Sequence, residues 1–184
     1  MKTISTALTL IAALSTPFVA IAETESSEQD PNKPSIAVGA TVGYVEATGL
    51  SFRKYFGANY LQTNFAGFVD KDKGEEYIAA SISYGRYLNQ FDLGKRGTPV
   101  GLKFVAGAEA EHDKGSGEGT NLDGITSDQE IHAGAGLGLE FGNPTRRGLV
   151  ISVDLIYTAG FRGFKDREFR KLNLLPSASI HYNM

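Results

Sequence analysis

The chain has 184 residues, a formal charge of −3, 22 glycines, no cysteine and no tryptophan. That length suits one domain. The missing cysteine excludes disulfides, thiolate metal sites and cysteine nucleophiles, and so mild a charge gives no reason to expect a nucleic-acid partner.

The first predicted element is an export signal. Lys2 supplies a positive start, Leu8 to Leu14 and Phe18 to Ile21 supply apolar stretches, and Ala20-Ile21-Ala22 places small residues where a signal peptidase reads. Ser15, Thr16 and Pro17 interrupt the apolar stretch, which makes it a poor spanning helix. The expectation is a signal peptide over 1–22, cleaved after Ala22, and no cysteine is present for lipid attachment. Glu23 to Pro34 is acidic, polar and proline-bearing, and reads as a flexible leader.

From Ser35 to Met184 the dominant period is two, the period of strands. The first run sets Ile36, Val38, Ala40, Val42 and Tyr44 on one face. The second, Gly49 to Phe56, sets Leu50, Phe52 and Phe56 against Ser51 and Arg53. After the turn Gly57-Ala58-Asn59, Tyr60 to Val69 sets Leu61, Phe65 and Val69 against Gln62, Asn64 and Ala66. The fourth run is Glu76 to Leu88 and the fifth Val100 to Glu109. The sixth, Glu130 to Phe141, is the clearest: Ile131, Ala133, Ala135, Leu137, Leu139 and Phe141 oppose His132, Gly134, Gly136, Gly138 and Glu140. Gly148 to Thr158 and Leu172 to Met184 complete eight runs. Most approach the about 9–11 residues that a tilted strand needs to cross a bilayer. Lys54 and Arg86 fall on the apolar faces near strand ends, where they can snorkel to an interface.

Alternation alone fits a soluble barrel with an apolar interior or a membrane barrel with an apolar exterior. The second face decides between them. It carries Arg53, Lys103, Glu109, His132, Glu140, Asp154 and His181 among glycine, alanine and serine. A solvated surface carries long charged side chains at most outward positions. A crowded lumen carries small ones. The apolar faces end in Tyr44, Phe56, Tyr84, Phe141, Tyr157 and Tyr182, as an interfacial girdle would. Connections also alternate in length. Gly57–Asn59 and Gly142–Arg147 are short, whereas Ala110–Gln129 and Gly160–Lys171 are long. The segment Asn89–Pro99 reads as a long connection on the short side.

Together these features resemble the small outer-membrane β-barrel proteins, the OmpA-like and OmpX-like barrels. GLSFRKYFG, AGAGLGLEFG and LLPSASIHYNM are similar to strands of that superfamily. The last strand resembles the C-terminal signal read by the barrel-assembly machinery, but ends in Met184 rather than phenylalanine. The resemblance implies an all-β, eight-stranded antiparallel up-and-down transmembrane β-barrel in a bacterial outer membrane. It implies lipid and lipopolysaccharide as surroundings and the assembly machinery as a partner during biogenesis.

Eight strands leave an interior about filled by side chains. Lone charges there are costly, so Arg53 and Lys103 are expected to neutralise some of Glu109, Glu140 and Asp154 in a lumen network that includes His132 and His181. A proton or ion path is the alternative for the same residues. The loop residues Arg162, Phe164, Lys165, Arg167 and Arg170 are candidates for an external interaction surface, the basic ones facing lipopolysaccharide phosphates and Phe164 a partner. The acidic segment Glu109–Glu130 lies on the same side, but Asp113 to Glu118 lacks the spaced carboxylates of a calcium loop. Ser177, Ser179 and His181 share a strand face without the His-x-Ser-Asn motif of lipid A deacylases, so no catalytic residue is assigned. No cofactor and no metal is expected. The favoured function is a structural or surface-interaction role. A narrow channel or transport accessory, a lipid A-modifying enzyme and a soluble periplasmic barrel holding an apolar ligand are the alternatives.

Overall fold

A computed structural model of the chain describes residues 35–43, 45–70, 75–95, 97–116, 125–144, 146–162 and 168–184. The predicted signal and leader, and Tyr44, lie outside them. The described part belongs to one compact unit, Pro34–Met184. Its elements are β1 (Ile36–Val42), β2 (Gly49–Phe56), β3 (Asn59–Asp70), β4 (Glu75–Leu93), β5 (Thr98–Ser116), β6 (Ile125–Phe141), β7 (Gly148–Arg162) and β8 (Glu168–Asn183). Each pairs with its sequence neighbour, and β1 pairs antiparallel with β8 from Ala37↔Asn183 to Val42↔Ala178. The sheet therefore closes into an eight-stranded antiparallel barrel, which leaves no free edge to template association.

The two ends differ. At one end the chain reverses tightly. Gly57, with φ of 60°, opens a two-residue turn between β2 and β3. A type II′ hairpin asks for that positive φ at its first central residue, and glycine supplies it without a Cβ clash. At the other end β5 and β6 extend into a long ribbon, paired out to Ser116↔Ile125.

Two predicted boundaries are corrected. Asn89–Pro99 is not a long loop, because β4 continues to Leu93 and β5 starts at Thr98. The pairing steps from Tyr87↔Lys103 to Asn89↔Leu102, so Leu88 is an extra, bulged residue. A bulge shifts the side-chain alternation by one, and the interrupted period had the appearance of a loop. The acidic segment after Glu109 is likewise mostly strand. Its residues pair cleanly, but polar residues on both faces hide the period.

The polarity of the wall is inverted relative to a water-soluble barrel. Leu50, Phe52, Phe65, Leu137, Val153, Leu155 and Ile180 are all exposed on the outside. Arg53, Lys103, Glu140 and Asp154 are buried inside at 1 % exposure or less. Phe56, Tyr84, Phe141 and Tyr182 stand on the outer face close to the short-turn end, with Phe56 and Tyr84 rings 6.4 Å apart. Lys54 and Arg86 lie exposed near the same end.

Candidate functional site

Lumenal side chains arise at every second residue, so each strand contributes a short inward column. Near the short-turn end the columns meet in an aromatic floor. Tyr55, Tyr60 and Tyr87 pack together, with ring centroids of 6.1 Å for Tyr55–Tyr60 and 5.9 Å for Tyr60–Tyr87. Tyr60 lies over Gly85, where a Cβ would collide with its ring. A glycine on the lumen face is thus the seat of a large side chain from the next strand.

Above this floor sits an ion-pair layer. Arg53 Nη1 donates to Glu140 Oε2 at 2.5 Å. Ser152 Oγ donates to the same oxygen at 2.7 Å, and the Tyr87 hydroxyl donates to Oε1. Lys103 Nζ lies 3.0 Å from Asp154 Oδ1 and donates to Oδ2 at 3.1 Å, with Glu140 3.9 Å away. The guanidinium of Arg53 also stands 4.1 Å from the centroid of Tyr60, and the Lys103 ammonium stands 5.4 Å from it. Cations over a ring face gain electrostatic attraction that water would otherwise screen.

A neutral relay spreads from Arg53 along the wall. Gln62 Oε1 accepts from Arg53 Nε at 3.0 Å and Nη2 at 2.8 Å. Its Nε2 donates to Asn64 Oδ1 at 3.1 Å, and Asn64 Nδ2 donates to Ser81 Oγ at 2.8 Å. Ser51 Oγ and His181 Nε2 lie 2.7 Å apart. Buried polar groups are tolerable only when partnered, and this layer supplies nearly every partner from side chains.

The predicted lumen residues are therefore not one cluster. Arg53, Lys103, Glu140 and Asp154 come together. His181 is hydrogen-bonded to Ser51. Glu109 is buried on β5 toward the long-hairpin end, and its Oε2 has no hydrogen-bond partner. It does not meet Arg53 or Lys103, because Lys103 and Glu109 are six residues apart on one strand. His132 lies opposite Glu109 in register but has its Nε2 3.3 Å from Glu130 Oε2. Of the external-loop candidates, Phe164, Lys165 and Arg167 lie outside the described residues. The backbones of Arg162 and Arg170 pair with Glu168 and Gly160 at the ends of β7 and β8.

Sequence reasoning missed Tyr55, Tyr60, Tyr87, Gln62 and Asn64 as members of the network. Parity was the available signal: Tyr55 follows Arg53 by two, and Gln62 and Asn64 follow Tyr60 by two and four. It also missed Glu46, which is fully buried and belongs to a connection with no period to read.

No protein family's sequence profile matches the chain, and no curated relative matches it. Among solved structures, the N-terminal β-barrel domain of Pseudomonas aeruginosa OprF is similar, with a TM-score of 0.51 at 13% identity over 85% of this chain and 100% of that domain. Neisserial surface protein A, NspA, gives a TM-score of 0.41 at 10% identity over 81% of this chain and 94% of that one. The likeness to the OprF domain is one of fold.

Proposed function

We propose that this chain is an integral outer-membrane β-barrel of a Gram-negative bacterium with a structural or surface-interaction role. The observation that carries the reading is the inverted wall. Leu137, Val153 and Leu155 are each at least half exposed on the exterior, whereas Arg53, Lys103 and Glu140 are sealed within. In water that arrangement would leave a continuous apolar belt exposed and spend ionic groups on the interior. In a bilayer the belt meets acyl chains, and every backbone polar group is satisfied inside the closed sheet.

The shape of the resting lumen favours a non-conducting protein. Tyr60, Arg53, Lys103, Glu140 and His181 are large and buried to 1 % exposure or less, so side chains fill the middle of the barrel. The short-turn end faces the periplasm and the long β5–β6 ribbon projects outward on this reading. Export by a signal peptide cleaved after Ala22, insertion by the barrel-assembly machinery and contact of the outer loops with lipopolysaccharide complete the proposal.

The test combines three readouts on one expressed protein. Fractionation should place it with outer membranes. Unboiled samples should migrate differently from boiled ones on a gel. Protease added to intact cells should cut only within residues 110–129 or 160–171. Recovery in the soluble periplasmic fraction would overturn the reading.

A further inference from the structure

The connection between β1 and β2 does not behave as a surface loop. Antiparallel neighbours are normally joined by segments that run over the protein surface. Here Val45, Glu46 and Ala47 are consecutive and all at 1 % exposure or less. Val45 packs with Val105 of β5 and Ile156 of β7. Glu46 accepts a hydrogen bond from Ser83 of β4 at 3.3 Å through Oε1 and from Ser177 of β8 at 2.7 Å through Oε2. In the ring of strands, β5 stands opposite β1. Two adjacent residues of one loop therefore reach β4, β5, β7 and β8, which is possible only if the loop lies across the lumen.

We propose that residues 45–47 of this connection form a self-inserted plug that closes the long-hairpin half of the lumen, and that its withdrawal opens that half to small solutes from the same end. The closure is weaker than the layer beneath it. Both donors to Glu46 are neutral hydroxyls, whereas the floor below is fastened by Arg53, Lys103 and their carboxylates. Ala47 is held at φ of 37°, in the left-handed region that an L side chain resists. The backbone amide of Gly43 donates to Thr48 Oγ1 at 3.3 Å and fastens the neck of the loop, while the tip is anchored by two neutral hydroxyls and the packing of Val45, with no ion pair among those anchors. Strained segments with few anchors open at low free energy while the surrounding sheet stays intact. Opening exposes Ser83 and Ser177 beside the apolar wall of Val105 and Ile156, with Ser179 the next lumenal residue along β8. The ion-pair layer still bars passage through the barrel.

The chain has no cysteine, so a single introduced thiol reports without background. Ser179 faces the lumen between Ser177 and His181, is buried, and its Oγ has no hydrogen-bond partner, so Ser179→Cys breaks no contact. The rate of its reaction with a charged, membrane-impermeant thiol reagent is measured on the folded, detergent-solubilised protein. Arg146→Cys on an exposed turn serves as the accessible reference, and heat-modifiable gel mobility verifies the fold of each variant. With the native loop, the Ser179→Cys thiol should react at least about tenfold more slowly than the reference, because its exposure is limited by loop opening. Adding Val45→Asp or Glu46→Ala should raise the rate toward the reference. Ala47→Gly, which relieves the strain and leaves the Val45 packing and the Glu46 hydrogen bonds in place, should leave the rate equal or lower, and it tests the proposal even where the other two variants fail to fold. Fast labelling behind the native loop, no acceleration in the folded Val45→Asp or Glu46→Ala variant, or acceleration by Ala47→Gly would each overturn the proposal.

Discussion

Replacing Glu140 by alanine removes the acceptor on which the ion-pair layer converges. Arg53 Nη1, Ser152 Oγ and the Tyr87 hydroxyl all donate to it, and Lys103 stands 3.9 Å away. The lost hydrogen bonds are the smaller part of the damage. Arg53 remains charged and buried, with Gln62 Oε1, the Tyr55 hydroxyl and the Tyr60 ring face beside it but no carboxylate bonded to it. Removing one partner of a buried pair costs about 3–5 kcal/mol, because the other charge is left uncompensated. The assay is reversible urea unfolding in lipid vesicles, followed by tyrosine fluorescence and gel mobility. Glu140→Ala should lower stability by about 3–5 kcal/mol on that basis. Arg53→Met alone should cost a similar amount. The double variant Arg53→Met/Glu140→Ala should recover at least about 2 kcal/mol relative to the sum, since contacting residues couple by that order. Single costs below about 1 kcal/mol, or a strictly additive double variant, would refute the claim that the pair is buried away from water.

Gly85→Val should destabilise by about 1–3 kcal/mol, the range for overpacking a filled site, because the new side chain occupies the position of the Tyr60 ring. The same unfolding assay measures it, and a neutral result would mean that Tyr60 does not rest there. Leu155→Arg places a charge on the exterior midway along β7 and should cost about 2–4 kcal/mol in vesicles, against about 0–1 for Val42→Arg near a strand end. Equal costs at the two positions would contradict a depth-dependent lipid environment.

Much of the barrel was legible because closure and inversion both reside in a period of two. The Glu130–Phe141 run, with its alternating glycines, placed the inner part of β6, and Gly49–Phe56 matched β2 without adjustment. The fourth strand was read short because Leu88 bulges, and one extra residue turns an alternating pattern out of phase. The outer parts of β5 and β6 read as loop because polar residues occupy both faces, which removes the hydropathy contrast without weakening the ladder. The pairing of Arg53 with Glu140 spans 87 residues, and sequence says only that such a pair must exist. Glu109 shows the limit of that argument: it has the right face, but it lies too far along β5 to reach the cations. The inserted loop was invisible. Val45 and Glu46 find their partners on four other strands, and no local pattern encodes a contact across a lumen.

The central claim is that the exterior face contacts acyl chains, and the absence of native tryptophan makes it directly measurable. Single tryptophans are placed at Leu139, Leu155 and Ile180 on the outer face and at Arg146 on the exposed turn. The protein is reconstituted in vesicles whose lipids carry bromine at a known depth in the acyl chain. The three outer positions should be strongly quenched, each most efficiently by bromine at its own depth, while the Arg146→Trp reporter should be hardly affected. Quenching at Leu139, Leu155 and Ile180 no greater than at Arg146 would contradict the account.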